Sequence, residues 1–162
     1  MSQSRRPKPH PRENAPAVSI AAEWQRKFPL LKKTLGRVSV RNPRAIRRAA
    51  QEISVVHQEF VDNGNSEKVW RHFERAHMLT HQSSIAHFLI HLMMMIYAAY
   101  TRNWGETFGQ IPRLFLSIPM SVLGLIPRGN TGLAKMRIFE KGNVPADLVE
   151  FVDETTDGTP RK

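Results

Sequence analysis

The chain has 162 residues, is 41% hydrophobic and carries a formal net charge of +10, which fits one domain with a buried core and polar tails. It contains no cysteine. Disulfide frameworks, thiolate zinc sites and iron–sulfur centres are thereby excluded, and imidazole and oxygen remain as metal-ligand chemistry.

The charge is uneven. Residues 1–50 hold thirteen of the 24 Lys and Arg residues against Glu13 and Glu23 alone, so residues 1–50 are the candidate surface for an acidic partner or another polyanion. A solvated tail is the plainer reading. Nucleic acid is the weaker polyanion candidate, because no aromatic residue interleaves the charges of the Pro-rich start. That start also lacks the apolar stretch of a secretory signal. The apolar runs 88–100 and 114–127 are too short or too interrupted for the roughly 18–20 residues of a spanning helix, and a cytoplasmic chain without a membrane span is expected.

Residues 1–17 hold Pro7, Pro9, Pro11 and Pro16 among basic and polar residues and read as a disordered arm. Residues 18–40 form a basic amphipathic segment, with Ile20, Trp24, Phe28, Leu31 and Leu35 at helical spacing around Pro29. A helical domain is expected over 41–152 and a polar, disordered tail over 153–162. Within the domain, Asn42-Pro43 is a helix-start signal. Ile46, Ala49, Ile53, Val56 and Phe60 then recur at three and four, predicting a helix over 43–62. Asp62-Asn63-Gly64-Asn65 is a turn. A second helix follows from Ser66 to about residue 81, its apolar side carrying Val69, Trp70, Phe73 and Ala76.

Five of the seven histidines lie between residues 72 and 91. Were one straight helix to run through this region, His77 and His91 would stand about 21 Å apart along its axis. Gln82-Ser83-Ser84 offers a break, with Ser83 or Ser84 as cap of a third helix over 85–101. The two helices then fold back on each other, and His77 faces His87. Asn103-Trp104-Gly105 ends the third helix. A fourth is expected from Glu106 to Ile118, stopped by Pro119, with a short apolar segment over 120–126. A loop over 127–132 and a last short helix entered at Pro145 complete an all-α, single-domain helical bundle built on antiparallel hairpins.

The candidate site is the set Glu74, His77, His87 and His91. Glu74 and His77 are three residues apart, and His87 and His91 four apart, so each pair leaves one helical face together. Across a hairpin they offer one oxygen and three nitrogens, a set that suits a divalent transition metal: zinc, iron, nickel or copper. With all four ligands bound, a tetrahedral site is closed and structural. With one missing, it can activate water. The competing reading is a hydrogen-bonded polar network of core histidines. His72 is expected to point away from the site, and His57 to pack. Met93-Met94-Met95 reads as core filler rather than as copper ligands. Arg128, Gly129, Asn130, Thr131 and Gly132 form a candidate anion-binding loop, although the spacing is not that of a P-loop. No motif for an organic cofactor is present, and no reaction class follows from the residues.

Several of these stretches form an ordered set. Phe73-Glu74-Arg75-Ala76-His77, His87-x-x-x-His91, Gly109-Gln110-x-x-Arg113-Leu114, Ser121-x-x-Gly124-x-x-Pro127-x-Gly129-Asn130-Thr131-Gly132 and Val144-Pro145-x-Asp147-Leu148 together resemble a family of small bacterial proteins known only as a domain of unknown function. The resemblance covers about residues 43–150. It implies no activity. Its members tend to occur in heavy-metal-resistance settings, which agrees with the ligand reading as association only. The pattern carries over Glu74, His77, His87, His91 and the loop residues 129–132. It has Gln at the position of His81, which lowers His81 as a ligand, and Pro at the position of Ala86, which favours the helix break. Metal binding is the leading function. A small metal-dependent hydrolase or oxidase is the runner-up, and a helical interaction module with structural histidines the third.

Overall fold

A computed structural model describes residues 42–62 and 66–153. The arm, the amphipathic segment of residues 18–40 and the tail after Asp153 lie outside the described residues. Four long helices make up the domain: α1 (Pro43–Asp62), α2 (Ser66–Thr80), α3 (Ser84–Tyr100) and α4 (Trp104–Leu123). A loop leads from α4 to a single 3₁₀ turn (Ala146–Leu148) and a short α5 (Val149–Asp153). There is no strand among the described residues, and no helix there is long and apolar enough to cross a membrane.

Local chemistry places the helix ends close to where the sequence puts them. Asn42 caps α1: its Oδ1 accepts from Ala45 N at 2.9 Å, satisfying one of the donors that a helix start leaves over. Its Nδ2 donates to Phe151 O at 2.8 Å, so the same side chain ties α1 to α5. Chain direction reverses over His81-Gln82, and Ser83 stands extended at the start of α3, with no side-chain cap bond. The break expected at 82–85 is therefore present.

The helices run antiparallel in sequence. On α1 and α2, Glu52 meets Arg75 while Glu59 meets Lys68. On α2 and α3, His77 meets His87 near the turn, and Trp70 meets Tyr97 far from it. On α3 and α4, His87 meets Ser121 and His91 meets Gln110. The main core lies between α1, α2 and α3, where Ile53, Val56, Val69, Phe73, Ile90, Met93 and Met94 are buried. Two of the three consecutive methionines thus fill the core, as their type suggests. Phe60, Trp70, Phe73 and Tyr97 close its far end with ring centroids 5.2–5.8 Å apart, and Tyr97 stands edge-on to Phe60 and Trp70, a favoured aromatic arrangement.

α4 departs from expectation twice. It does not stop at Pro119. It runs through both Pro112 and Pro119 and ends at Gly124, whose φ of 67° gives the left-handed C-cap. A proline inside a helix removes the bond to the carbonyl four residues back. Here those carbonyls belong to Phe108 and Phe115, which are 65% and 76% exposed, so water can take the lost donor's place. Second, α4 is turned inside out. Gln110, Arg113, Ser117, Met120 and Ser121 face inward, whereas Trp104, Phe108, Phe115 and Val122 stay exposed. The helix is oriented by what its polar stripe must reach.

A second polar cluster fixes α1, α2 and the 3₁₀ turn, away from α4. Glu52 is buried and bonds His72 Nδ1 at 2.6 Å, Arg75 Nε at 3.0 Å and Arg48 at 3.1 Å. Arg75 also grips Asp147 with both Nη atoms. His72, expected to be exposed, is instead half-buried against this carboxylate. Breaking a buried, multiply paired carboxylate strands its cations. Glu52→Ala is expected to lower unfolding free energy by about 3 kcal/mol, measured by urea denaturation.

Candidate metal centre

Three imidazoles converge where α2, α3 and α4 meet. His77 is one helical turn from the end of α2, and His87 and His91 lie one turn apart on α3. Antiparallel packing brings their Nε2 atoms into a nearly equilateral triangle: His77 to His87 at 2.8 Å, His87 to His91 at 3.0 Å and His77 to His91 at 3.1 Å. All three rings are buried.

The other ring nitrogen of each histidine decides what these contacts are. His77 Nδ1 lies 3.0 Å from the backbone oxygen of Asn130. A carbonyl only accepts, so His77 carries its proton on Nδ1. His91 Nδ1 lies 2.7 Å from Gln110 Oε1. The orientation of that amide follows from its Nε2, which donates to Gly132 O at 2.9 Å and to Glu106 Oε1 at 2.5 Å. His91 is therefore also protonated on Nδ1. His87 Nδ1 lies 2.9 Å from the Ser121 hydroxyl, which can take either role. At least two of the three Nε2 atoms then present lone pairs to one point. Imidazoles held in one tautomer by a polar group at Nδ1 are the usual outer shell of a histidine metal site.

The loop after α4 is shaped to supply that shell. Asn130 Nδ2 donates to the carbonyls of Arg137, Ile138 and Glu140 at 2.9–3.3 Å, and its Oδ1 accepts from Gly132 N at 2.9 Å. Its main-chain oxygen is thereby aimed at His77. Gly132 has φ of 78°, and a Cβ there would stand 2.6–2.9 Å from ring atoms of His77. Gly129 has φ of 73°, and a Cβ there would meet Gly142 O at 2.1 Å. Both glycines are required by close approach as well as by backbone conformation. The loop expected to bind an anion has its polar groups engaged elsewhere. Arg128 pairs with Asp153 through two bonds of 2.7 Å, and Asn130 and Gly132 serve the histidine.

The remaining candidates fall around this triangle. His81 sits in the α2–α3 turn with its Nε2 3.2 Å from His77 Nδ1. His77, His81 and His87 each place a ring nitrogen within 4.8 Å of the others. His81 therefore belongs to the cluster more closely than the family pattern implied, although it approaches His77 from behind rather than at Nε2. The buried cluster as a whole can hold a metal ion. Glu74 stands apart. It lines a different surface depression, with Trp70, Arg71, Glu106 and Lys135, and among the described residues no hydrogen bond joins it to an imidazole. Residues three apart on a helix are rotated by about 60°, enough to carry the carboxylate past the corner that His77 turns inward. Burial and neighbouring Glu106 raise its pKa, while Lys135 and Arg71 oppose them.

On one side of the triangle lies a cavity of about 30 Å³, lined by the three histidines, by Arg113 and Ser117, and by Leu116, Met120, Ile126 and Ile138. The polar stripe of α4 was the signal that sequence reasoning passed over. Glu106, Gln110, Arg113, Ser117 and Ser121 recur at intervals of four, three, four and four, one face of a helix, and it is the face turned toward the histidines.

Burial dominates the electrostatics. It lowers the pKa values of His77 and His87 well below the usual imidazole range, and proximity of the other imidazoles adds to the effect. Burial likewise pushes His81 down to about 3. His91 is pushed to about 4 by burial, with Gln110 opposing and Arg113 assisting. All four rings are therefore neutral near pH 7, the form that binds metal.

Two outcomes follow for the metal-free chain. The unfolded chain protonates these histidines near pH 6.5 and the folded chain only at lower pH, so the unfolded state binds more protons as pH falls. Stability is complete above about pH 6.5 and is expected to drop toward pH 4 by ~1.4 kcal/mol per pH unit for each ring still unprotonated, measured by urea denaturation of chelator-treated protein. Gly132→Ala is expected to force His77 aside and to lower unfolding free energy by more than about 1 kcal/mol, the scale of an alanine placed at positive φ, measured by urea denaturation.

Comparison with known proteins adds the family. A family model described as "Protein of unknown function (DUF3703)" matches residues 44–152. No curated protein and no solved structure matches the chain.

Proposed function

The chain belongs to the DUF3703 family, and from the geometry of its buried imidazoles we propose that it binds a divalent transition metal through His77, His87 and His91. One observation carries this reading: at least two, and with a donating His87 all three, of the Nε2 lone pairs are directed at one point inside a buried cluster. Neutral lone pairs at such distances repel one another. A cation between them turns that repulsion into coordination.

The spacing also indicates how the ion would be held. With metal–nitrogen bonds of about 2.05 Å, nitrogens are about 3.3 Å apart around a tetrahedral ion and about 2.9 Å apart on one face of an octahedral ion. The separations of 2.8–3.1 Å fit the facial arrangement better. Three histidines on one face leave the opposite positions open, and the cavity lies beside the three rings. This differs from the closed Glu-plus-three-His set that spacing along the chain suggests. Zinc, iron, nickel and copper all accept imidazole nitrogen.

The open side favours a second reading, a small metal-dependent hydrolase or oxidase. The supporting observation is that outer-shell contacts fix the rings while a cavity remains for further ligands, the layout of a catalytic rather than a closed structural site. In that case the three histidines hold the ion, Gln110, Ser121 and the Asn130 carbonyl orient them, and the ion supplies Lewis-acid chemistry.

Elemental analysis of protein purified without a polyhistidine tag tests the metal reading. Wild type is expected to carry about one transition-metal ion per chain, His77→Ala and His91→Ala to lose it, and Glu74→Gln to keep it. A wild-type protein that remains metal-free after reconstitution with each of the four metals would refute the proposal.

A further inference from the structure

We propose that the open side of the three-histidine cap takes a small monovalent anion, with the Arg113 guanidinium as its second contact. This rests on the metal reading above and adds the class of ligand that completes the site.

The argument begins with Arg113. It is buried on α4 and lines the same cavity as the three histidines. Its Nη1 donates to Gly109 O at 2.8 Å, and its Nη2 donates to Met136 O. Those two carbonyls hold the side chain in place but carry no charge. A guanidinium has five N–H groups and stays protonated when buried. Among the described residues no carboxylate lies within ion-pair distance of Arg113, although the charge of Glu106 acts on it from farther away. Burying a cation without a counter-ion is costly.

A metal ion makes the imbalance larger. Three neutral imidazoles leave its double positive charge uncompensated, and Arg113 adds another. Among the described residues, no acidic side chain lines the cavity. The nearest carboxylate in the network, Glu106, is two bonds removed: it bonds Gln110, and Gln110 bonds His91. The missing negative charge has to arrive with a ligand.

Size narrows the class. A water needs about 10–15 Å³ of cavity measured in this way, and the cavity offers about 30 Å³. A ligand of two or three heavy atoms, of the size of azide or formate, fits. The cavity opens to the surface, so phosphate, with five heavy atoms, would have to project out of it. Leu116, Met120, Ile126 and Ile138 form apolar walls, which lower the local dielectric and strengthen both the metal and the guanidinium contact.

Cobalt(II) can report on this site, because its visible absorption responds to the ligands. The full-length chain is freed of metal, loaded with cobalt and titrated separately with azide, formate and phosphate. Azide and formate are expected to change the cobalt spectrum and phosphate to bind at least about tenfold more weakly. Arg113→Gln is expected to keep its cobalt and to weaken azide binding by tenfold or more, and Arg113→Lys to fall between. A wild-type spectrum indifferent to azide would overturn the proposal. So would azide binding to cobalt-loaded Arg113→Gln at wild-type strength, or phosphate matching azide. Should Arg113→Gln fail to hold cobalt, the Arg113→Lys and anion-size comparisons decide, equal azide affinity in the Lys variant together with equal phosphate affinity counting against it. A wild-type chain that takes up neither cobalt nor any of the four metals overturns the metal reading itself, and is thereby distinguished from failure of the anion subsite alone.

Discussion

Three buried imidazoles share one small volume, and the rest of the domain is arranged around that constraint. Each ring must be neutral, must present Nε2, and must be prevented from rotating. Burial meets the first requirement by disfavouring the charged form. Hydrogen bonds at Nδ1 meet the other two. The three partners come from three kinds of group: a main-chain carbonyl at Asn130, an amide at Gln110 and a hydroxyl at Ser121. None is a charged residue. The shell therefore fixes the rings without adding a charged group to the cluster.

The orientation of α4 is a consequence. A helix of mixed composition normally buries its apolar stripe. α4 instead buries Gln110, Arg113, Ser117 and Ser121 and exposes Phe108, Phe115 and Val122. The energetic preference of the apolar side chains, about 25 cal/mol per Å², is overridden because the polar residues would otherwise leave the histidines without partners. Local rules tend to be broken at functional sites, and α4 is where this chain breaks them. The loop after it obeys the same demand. Asn130 aims one carbonyl by binding three others, and Gly132 is small because His77 occupies the space where a side chain would go.

The two polar clusters of the domain differ in character. Around Glu52, opposite charges are matched at short distance by Arg48 and Arg75, with Asp147 as a second acid. Such a cluster fixes the relative positions of α1, α2 and the 3₁₀ turn and calls for no ligand. Around the histidines, the formal charge in the cavity wall among the described residues is positive, on Arg113. Both clusters are built from residues that are expensive to bury.

Much of this was legible in the chain. The period of Ile46, Ala49, Ile53 and Val56, the Asn42-Pro43 start and the Ser83-Ser84 break specify helices and corners by local chemistry, and local chemistry depends on neighbours in sequence. The close approach of His77, His87 and His91 was legible for the same reason: a turn between two helices brings residues near it together. Glu74 lies apart from the imidazoles because helical spacing fixes a direction only to within tens of degrees, and the inward face of α2 takes in His77 but not Glu74. His72 found a buried carboxylate from α1, a contact that no spacing on α2 announces. Tertiary structure alone decided which face of α4 turns inward, because both stripes are regular and hydrophobicity favours the wrong one. It also decided that a loop with the composition of an anion nest would hold a histidine. In both cases the deciding interaction joins residues 19 to 53 positions apart. The sequence by itself determined the helices and the donors. Which donor faces which lone pair was set by packing, since only in the assembled bundle do the Nδ1 hydrogens meet acceptors that fix where Nε2 points.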